Sequence, residues 1–235
     1  MARRQQQQTF AEVAEIDLTS GIYDDFKSFA SEHLFIQTKS GELLPFELNT
    51  SQLLRQKMLD EMEEAGVPIK VWEAKARQAG CSTHIQGWMF HRCITNRDEV
   101  ALIAAHADHS VHSIFTKAKL FYDNLPERLQ PLTKYNNRAE LDFRAPTGPA
   151  GLRSRLTVMT AKSAEDARGT TARLAHFLEV AFYKQPEKYF LATLQSMPDG
   201  PGTFAYSEST CNGSGDFHHT MYLSARVWQD EPYPW

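Results

Sequence analysis

Between residues 52 and 65 the apolar side chains fall at Leu53, Leu54, Met58, Leu59 and Met62, a spacing that gathers them on one side of an α-helix. Gly66-Val67-Pro68 stops the run, and Asn49-Thr50-Ser51 supplies N-cap candidates ahead of it. The period then changes. Ile69–Ala74 reads as a short strand, 82–93 as a helix, 99–105 as a continuous apolar strand of the fully buried kind, and 110–124 as an amphipathic helix. Residues 152–160 alternate as a strand does, and Leu174–Leu178 is another short apolar run. Helix is expected at 187–196, strand at 203–207 and helix again after Gly215. Strand and helix taking turns over short connections predict an α/β fold with a mostly parallel sheet. The Pro/Gly-rich stretch 145–151 reads as a loop inside that fold. One domain over residues 21–235 is expected, preceded by an arm of residues 1–20 whose Gln5–Gln8 run reads as poorly ordered or helical.

Composition narrows the class. The chain has 235 residues, 42% hydrophobic and 23% charged, an ordinary globular balance. A chain of that size buries roughly 70% of its unfolded surface and needs no disulfide or metal to fold. Cys81, Cys93 and Cys211 match no zinc spacing and no even disulfide framework, which fits a reducing compartment. Residues 1–8 carry basic side chains but no apolar segment, so no secretory signal is expected, and no apolar stretch approaches a membrane span. A net charge of −4 lacks the basic excess of a domain that grips DNA alone. It leaves room for a subunit of a ring, in which several weak contacts add.

In a parallel sheet, chemistry collects beyond the carboxyl ends of the strands. The segment leaving the first strand is Lys75-Ala76-Arg77-Gln78-Ala79-Gly80-Cys81-Ser82-Thr83. Against the phosphate-binding pattern G-x-x-x-x-G-K-[ST], Gly80 takes the second glycine and Ser82 the hydroxyl; Lys75 replaces the first glycine and Cys81 stands at the lysine. The physics demands less than the pattern: amides converging at a helix N-terminus, a glycine for close approach, and a metal-facing hydroxyl. All three are available, and Lys75 or Arg77 offers the cation. An ordinary strand–turn–helix with incidental basic residues accounts for the same string.

Read with the rest of the chain, this loop resembles the deviant Walker A loop of bacteriophage terminase large subunits, some of which place the lysine at the front. Pro45-Phe46-Glu47-Leu48-Asn49-Thr50-Ser51-Gln52 resembles their adenine-recognising segment. Arg168-Gly169-Thr170-Thr171 followed by Ala175-His176-Phe177-Leu178-Glu179-Val180-Ala181-Phe182 is similar to their Walker B region, and Glu208-Ser209-Thr210-Cys211-Asn212-Gly213 to their coupling motif. The four segments follow the family's order and cover most of the chain. The resemblance implies a P-loop NTPase of the ASCE type, using ATP and Mg²⁺ to drive double-stranded DNA into a procapsid. It would work as a homo-oligomeric ring in the host cytoplasm, with the portal protein and the small terminase subunit and with no membrane. By the same resemblance Ser82 would bind Mg²⁺, residues 75–83 would cradle the phosphates, and Lys75 would touch them. Gln52 would read the adenine, Arg77 would act within its own site, and Glu179 would orient the attacking water. Arg168 would reach the neighbouring subunit as an arginine finger, and Ser209 and Thr210 would couple the γ-phosphate state to movement.

Two departures stand out. Leu178 occupies the position of the acidic Mg²⁺ partner, and the chain ends at Trp235, where the family continues into a nuclease domain, so no nuclease activity is expected. Two rivals keep the same core: a catalytically inert assembly subunit and a helicase-like DNA-dependent ATPase. Other constellations read as structural. His106, Asp108, His109 and His112 form H-x-D-H-x-x-H, with Asp108 a helix-cap candidate; His218-His219 point apart on a helix; Cys81 reads as a small residue filling a tight turn. Lys119, Arg128, Lys134 and Arg138 are either a DNA-holding set or a solvated face.

Overall fold

The computed structural model describes residues 25–137, 139–144, 151–162 and 171–225. Six α-helices among them are α1 Phe26–His33, α2 Thr50–Glu64, α3 Cys81–Thr95, α4 Asp108–Asp123, α5 Pro186–Ser196 and α6 Phe217–Ser224. The strands are β1 Phe35–Gln37, β2 Leu43–Pro45, β3 Ile69–Ala74, β4 Val100–Ala105, β5 Tyr135–Asn136, β6 Glu140–Arg144, β7 Gly151–Thr160, β8 Leu174–Leu178 and β9 Phe204–Ser209. Residues 1–24, including the Gln-rich arm, Arg138, the 145–150 loop and Arg168 lie outside the described residues.

Seven strands form one sheet in the order β3-β9-β8-β4-β7-β6-β5. Every pairing from β3 to β7 is parallel, and β6 and β5 close one edge antiparallel. The last strand in sequence, β9, therefore lies between the first parallel strand and β8. Alternation along the strands sorts their side chains onto two faces. Ile69, Ala101, Ile103, Leu174, Leu178, Phe204 and Tyr206 join one apolar core with Phe29 of α1, Leu59 of α2, Ile85 of α3 and Phe115 of α4. Ala104, Ala175, Phe177 and Ala205 face the other side, against Tyr189 and Phe190 of α5 and the partly buried Phe217 of α6. With both faces covered, β4 reads as a continuous apolar run and β8 is apolar but for the buried His176, as suits strands buried on both sides.

The predicted order of parallel strands and intervening helices is observed, with boundaries shifted by one or two residues. Four differences have local causes. Helix α1 is short and begins at Asp25, whose carboxylate caps Lys27 N and Ser28 N at 3.0 and 3.2 Å. The β1–β2 hairpin and the β5–β6 edge are made of two- to five-residue strands, too short for an alternation to register. Strand β9 runs on through Glu208 and Ser209, polar residues that are nonetheless fully buried. Asp108 does not cap α4: Ala107 holds that position without a side-chain bond, and Asp108 instead accepts from Thr160 Oγ1 at 2.5 Å and pairs with Lys162.

Candidate active site

The carboxyl ends of β3, β8 and β9 open into a cleft of two adjoining lobes. One, of about 210 Å³, is lined by Lys75, Ala76, Gln78, Ala79, Gly80, Cys81, Ser82 and Thr83, with Lys117 reaching in from α4. The other, of about 480 Å³, shares Lys75 and Gln78 and adds Arg77, His106, Glu179, Phe182 and Thr210.

The smaller lobe is shaped by Gly80. Its φ of 75° is left-handed, and it forms the N-cap of α3 with no side chain bonding the first-turn amides. A Cβ there would meet Gln52 Nε2 at 2.7 Å. Gln52 is buried beneath the loop: Nε2 donates to Gly80 O at 2.8 Å, and Oε1 accepts from Asn49 N at 2.9 Å within the capping box of α2. Both ends of its amide are thus committed to the loop and the cap. Cys81 fills the turn as expected and is 2% exposed; its thiol donates to Glu73 Oε2 at 2.9 Å. Burial, reinforced by the carboxylates of Glu208 and Glu73, pushes that thiol far above its ordinary pKa and leaves it a poor nucleophile.

Lys75 crosses the cleft to Glu179, with Nζ to Oε1 at 2.7 Å. Burial opposes the lysine's charge, but the carboxylates of Glu208 and Glu179 outweigh it and raise the pKa. On Glu179, burial opposes ionisation and is overcome by the bonds from Lys75 and Thr210, so its pKa is lowered. The second Glu179 oxygen accepts from Thr210 N at 3.1 Å and from Thr210 Oγ1 at 3.0 Å. Glu179 also has φ 56° and ψ 48°, a left-handed conformation that costs energy outside glycine and recurs where function requires it. Ser209 completes the junction, its Oγ accepting from Ala181 N at 3.2 Å. The loop, the strand-end carboxylate, Ser209 and Thr210, which lie far apart in sequence, therefore meet at one place.

Arg77 is exposed at the rim of the larger lobe. Two residues that meet the loop have no role assigned from the sequence, although Glu208 opens the segment that resembles the coupling motif. Lys117 Nζ lies 3.3 Å from Thr83 Oγ1, and burial with Lys75 nearby lowers its pKa despite Glu208. Glu208 accepts a hydrogen bond from Ser82 Oγ. No spacing signal marks either one: Lys117 lies on the polar side of an amphipathic helix pattern, and Glu208 follows a serine at the end of a mixed strand. His106, on the wall of the larger lobe, has its ring 5.8 Å from that of His109, while the Asp108 carboxylate is taken by Lys162 and Thr160. His218 is buried near Trp72 and His219 Nδ1 accepts from Gly215 N, so the adjacent pair points apart as expected. Lys119 is held by Asp123 and Asn136, and Lys134 lies over the Tyr135 ring.

The described strands form an α/β sheet with a glycine-bearing loop between its edge strand and a helix and a carboxylate at the end of a strand two places away, and in such sheets ligands bind beyond the carboxyl ends of the strands. More particularly, the fold is that of phage large-terminase ATPase domains. A point mutant of the Thermus phage P74-26 large terminase ATPase domain superposes with a TM-score of 0.56 at 15% identity, over 79% of this chain and 74% of that one. The HK97 bacteriophage large terminase superposes with a TM-score of 0.60 at 14% identity, over 86% of this chain and 40% of the HK97 chain. No family model and no curated protein matches the sequence.

Proposed function

We propose that residues 21–235 are the ATP-hydrolysing motor domain of a viral large terminase. The observation that carries this reading is the Lys75–Glu179–Thr210 constellation, which joins the loop after β3, the end of β8 and the segment after β9 through bonds of 2.7–3.1 Å. Such a junction gives a change at the nucleotide loop a direct route to the segment after β9.

The residues present suit a Mg²⁺-bound triphosphate. The first-turn amides of α3 carry no side-chain cap, Lys75 and Lys117 bring cations to the loop, and Ser82 supplies the hydroxyl. The metal would neutralise charge developing between the β- and γ-phosphates. Glu179 is ionised in the cleft but engaged by Lys75. A phosphate in the loop competes for that lysine, frees the carboxylate oxygen, and leaves Glu179 held by Thr210 alone to orient and polarise water. Gln52 positions the loop from below and Arg77 works at the rim. Arg168 serves as the finger to a neighbouring subunit, a role that rests on its sequence context. Double-stranded DNA, the portal and the small subunit are the partners of such a ring, at the procapsid portal in the host cytoplasm. Among the described residues no helix is long and apolar enough to cross a membrane.

The test is steady-state ATP hydrolysis by the wild-type chain, with and without DNA, beside Glu179→Ala and Lys75→Ala. Removing the positioned carboxylate is expected to lower turnover by about 10²–10⁴-fold, with nucleotide affinity changed far less. Lys75→Ala should weaken both. Nucleotide binding without turnover in the wild-type chain would favour an inert assembly subunit, and wild-type rates in Glu179→Ala would remove the catalytic role given to that residue.

A further inference from the structure

Leu178 stands where a carboxylate is expected opposite the loop hydroxyl, and its neighbour across the sheet supplies one. In the parallel β8–β9 ladder Leu178 pairs in register with Glu208. Adjacent strands lie about 4.8 Å apart, and in-register residues of a parallel pair share a face. That face is the one turned to α3, since Leu174 and Leu178 of β8 enter the same core as Phe204 and Tyr206 of β9. The acid is therefore displaced sideways by one strand, towards β3 and its loop.

We infer that Glu208 is the carboxylate partner of the divalent cation in this site, acting with Ser82 in place of the residue missing at position 178. The inference rests on the nucleotide-binding reading above. Glu208 is 0% exposed, and its Oε1 accepts the Ser82 hydroxyl bond. Its Oε2 has no hydrogen-bond partner among the described residues. The other acid on this face is not available in the same way. Glu73 lies with Cys81 and Glu208 in a group whose ligand atoms fall within 4.8 Å of one another, yet both of its oxygens are occupied: Arg55 donates to them at 3.0 and 2.6 Å, and Tyr206 and Cys81 donate to Oε2. His176 Nε2 stands 3.6 Å from Glu208 Oε1 without closing a hydrogen bond, so one carboxylate oxygen stays uncommitted beneath the loop.

A buried acid kept only to pack against His176 and Ser82 would affect stability and would leave metal dependence untouched. The experiment therefore measures binding of a fluorescent ATP analogue in excess Mg²⁺ and in EDTA, for wild type, Glu208→Gln and Glu208→Gln/Leu178→Asp, with each fold checked by thermal melting. Wild type should bind more tightly with Mg²⁺ than with EDTA. Glu208→Gln should lose that advantage by about tenfold or more, the usual scale for a metal's supporting partner, while its EDTA affinity stays near wild type. Returning the acid to position 178 should restore part of the Mg²⁺ advantage. If Glu208→Gln does not fold, Glu208→Asp, still anionic but one methylene shorter, takes its place and should weaken the Mg²⁺ advantage alone. An unchanged Mg²⁺ advantage in a folded variant overturns this inference and leaves the proposed function standing. A wild-type chain that binds no nucleotide in either condition overturns both.

Discussion

Lys75 and Glu179 form a half-buried ion pair at the centre of the cleft, and their titration behaviour follows from what surrounds them. Glu179's folded pKa is lowered, so its contribution to stability is present above the unfolded carboxylate value near about 4.3 and is lost as the pH falls through the lower folded value. Lys75's folded pKa is raised, so its share is present below about 10.4 and is lost as the pH rises through the folded value. The stability difference between wild type and Glu179→Gln, read by urea unfolding, is therefore expected to stay flat from about pH 6 to 9 and to shrink below about pH 4. A difference that changed steadily across neutral pH would mean that the pair is not what holds the carboxylate ionised. His84 adds a separate acid sensitivity. Burial, with Arg55 and His176 nearby, lowers its pKa to about 3, so wild type and variant alike lose stability as the pH falls below the unfolded histidine value near about 6.5.

At the scale of elements, α2 reaches beyond its own packing. Asn49 Oδ1 accepts from Gln52 N at 3.0 Å, Gln52 answers at Asn49 N, and the same glutamine holds Gly80 O. The cap of one helix thereby braces the entry to the next, and Asn49 Nδ2 adds a long contact of 3.5 Å to Ala79 O. Asn49→Ala is expected to cost about 1 kcal/mol in denaturant unfolding and also to weaken nucleotide affinity, because the loop loses its brace. A stability loss with unaltered affinity would confine Asn49 to helix capping. Strand β9 plays the corresponding part in the sheet, carrying Glu208 on the face of α3 and handing Ser209 and Thr210 to the end of β8.

For the whole molecule, the proposed finger acts between chains, so hydrolysis should depend on assembly. Turnover per chain is expected to rise with protein concentration as the ring forms, and a constant specific activity on dilution would mean that each chain is self-sufficient. With a net charge of −4, contact with DNA has to come from local basic surface, and stimulation by DNA should fall steeply with salt.

Most of the helix and strand order was legible in the chain, because periodicity and caps depend on residues a few positions apart. Ile69–Ala74 and Leu174–Leu178 match their strands residue for residue, and Gly66 and Asn49 bound α2 as their chemistry requires. Gly80 was visible as a candidate because it matches the second glycine of the phosphate-binding pattern, and Glu179 because it directly follows an apolar strand. Short edge strands and α1 left too little pattern to detect. Strand neighbours are another matter, since pairing depends on which surfaces bury one another across the whole fold. Only the insertion of β9 between β3 and β8 puts Glu208 under Ser82, 126 residues away in sequence, and only the packing of α4 on α3 carries Lys117 to Thr83. Local composition specified the elements and the kind of chemistry at the strand ends; long-range burial selected the carboxylate and the cations that face the loop.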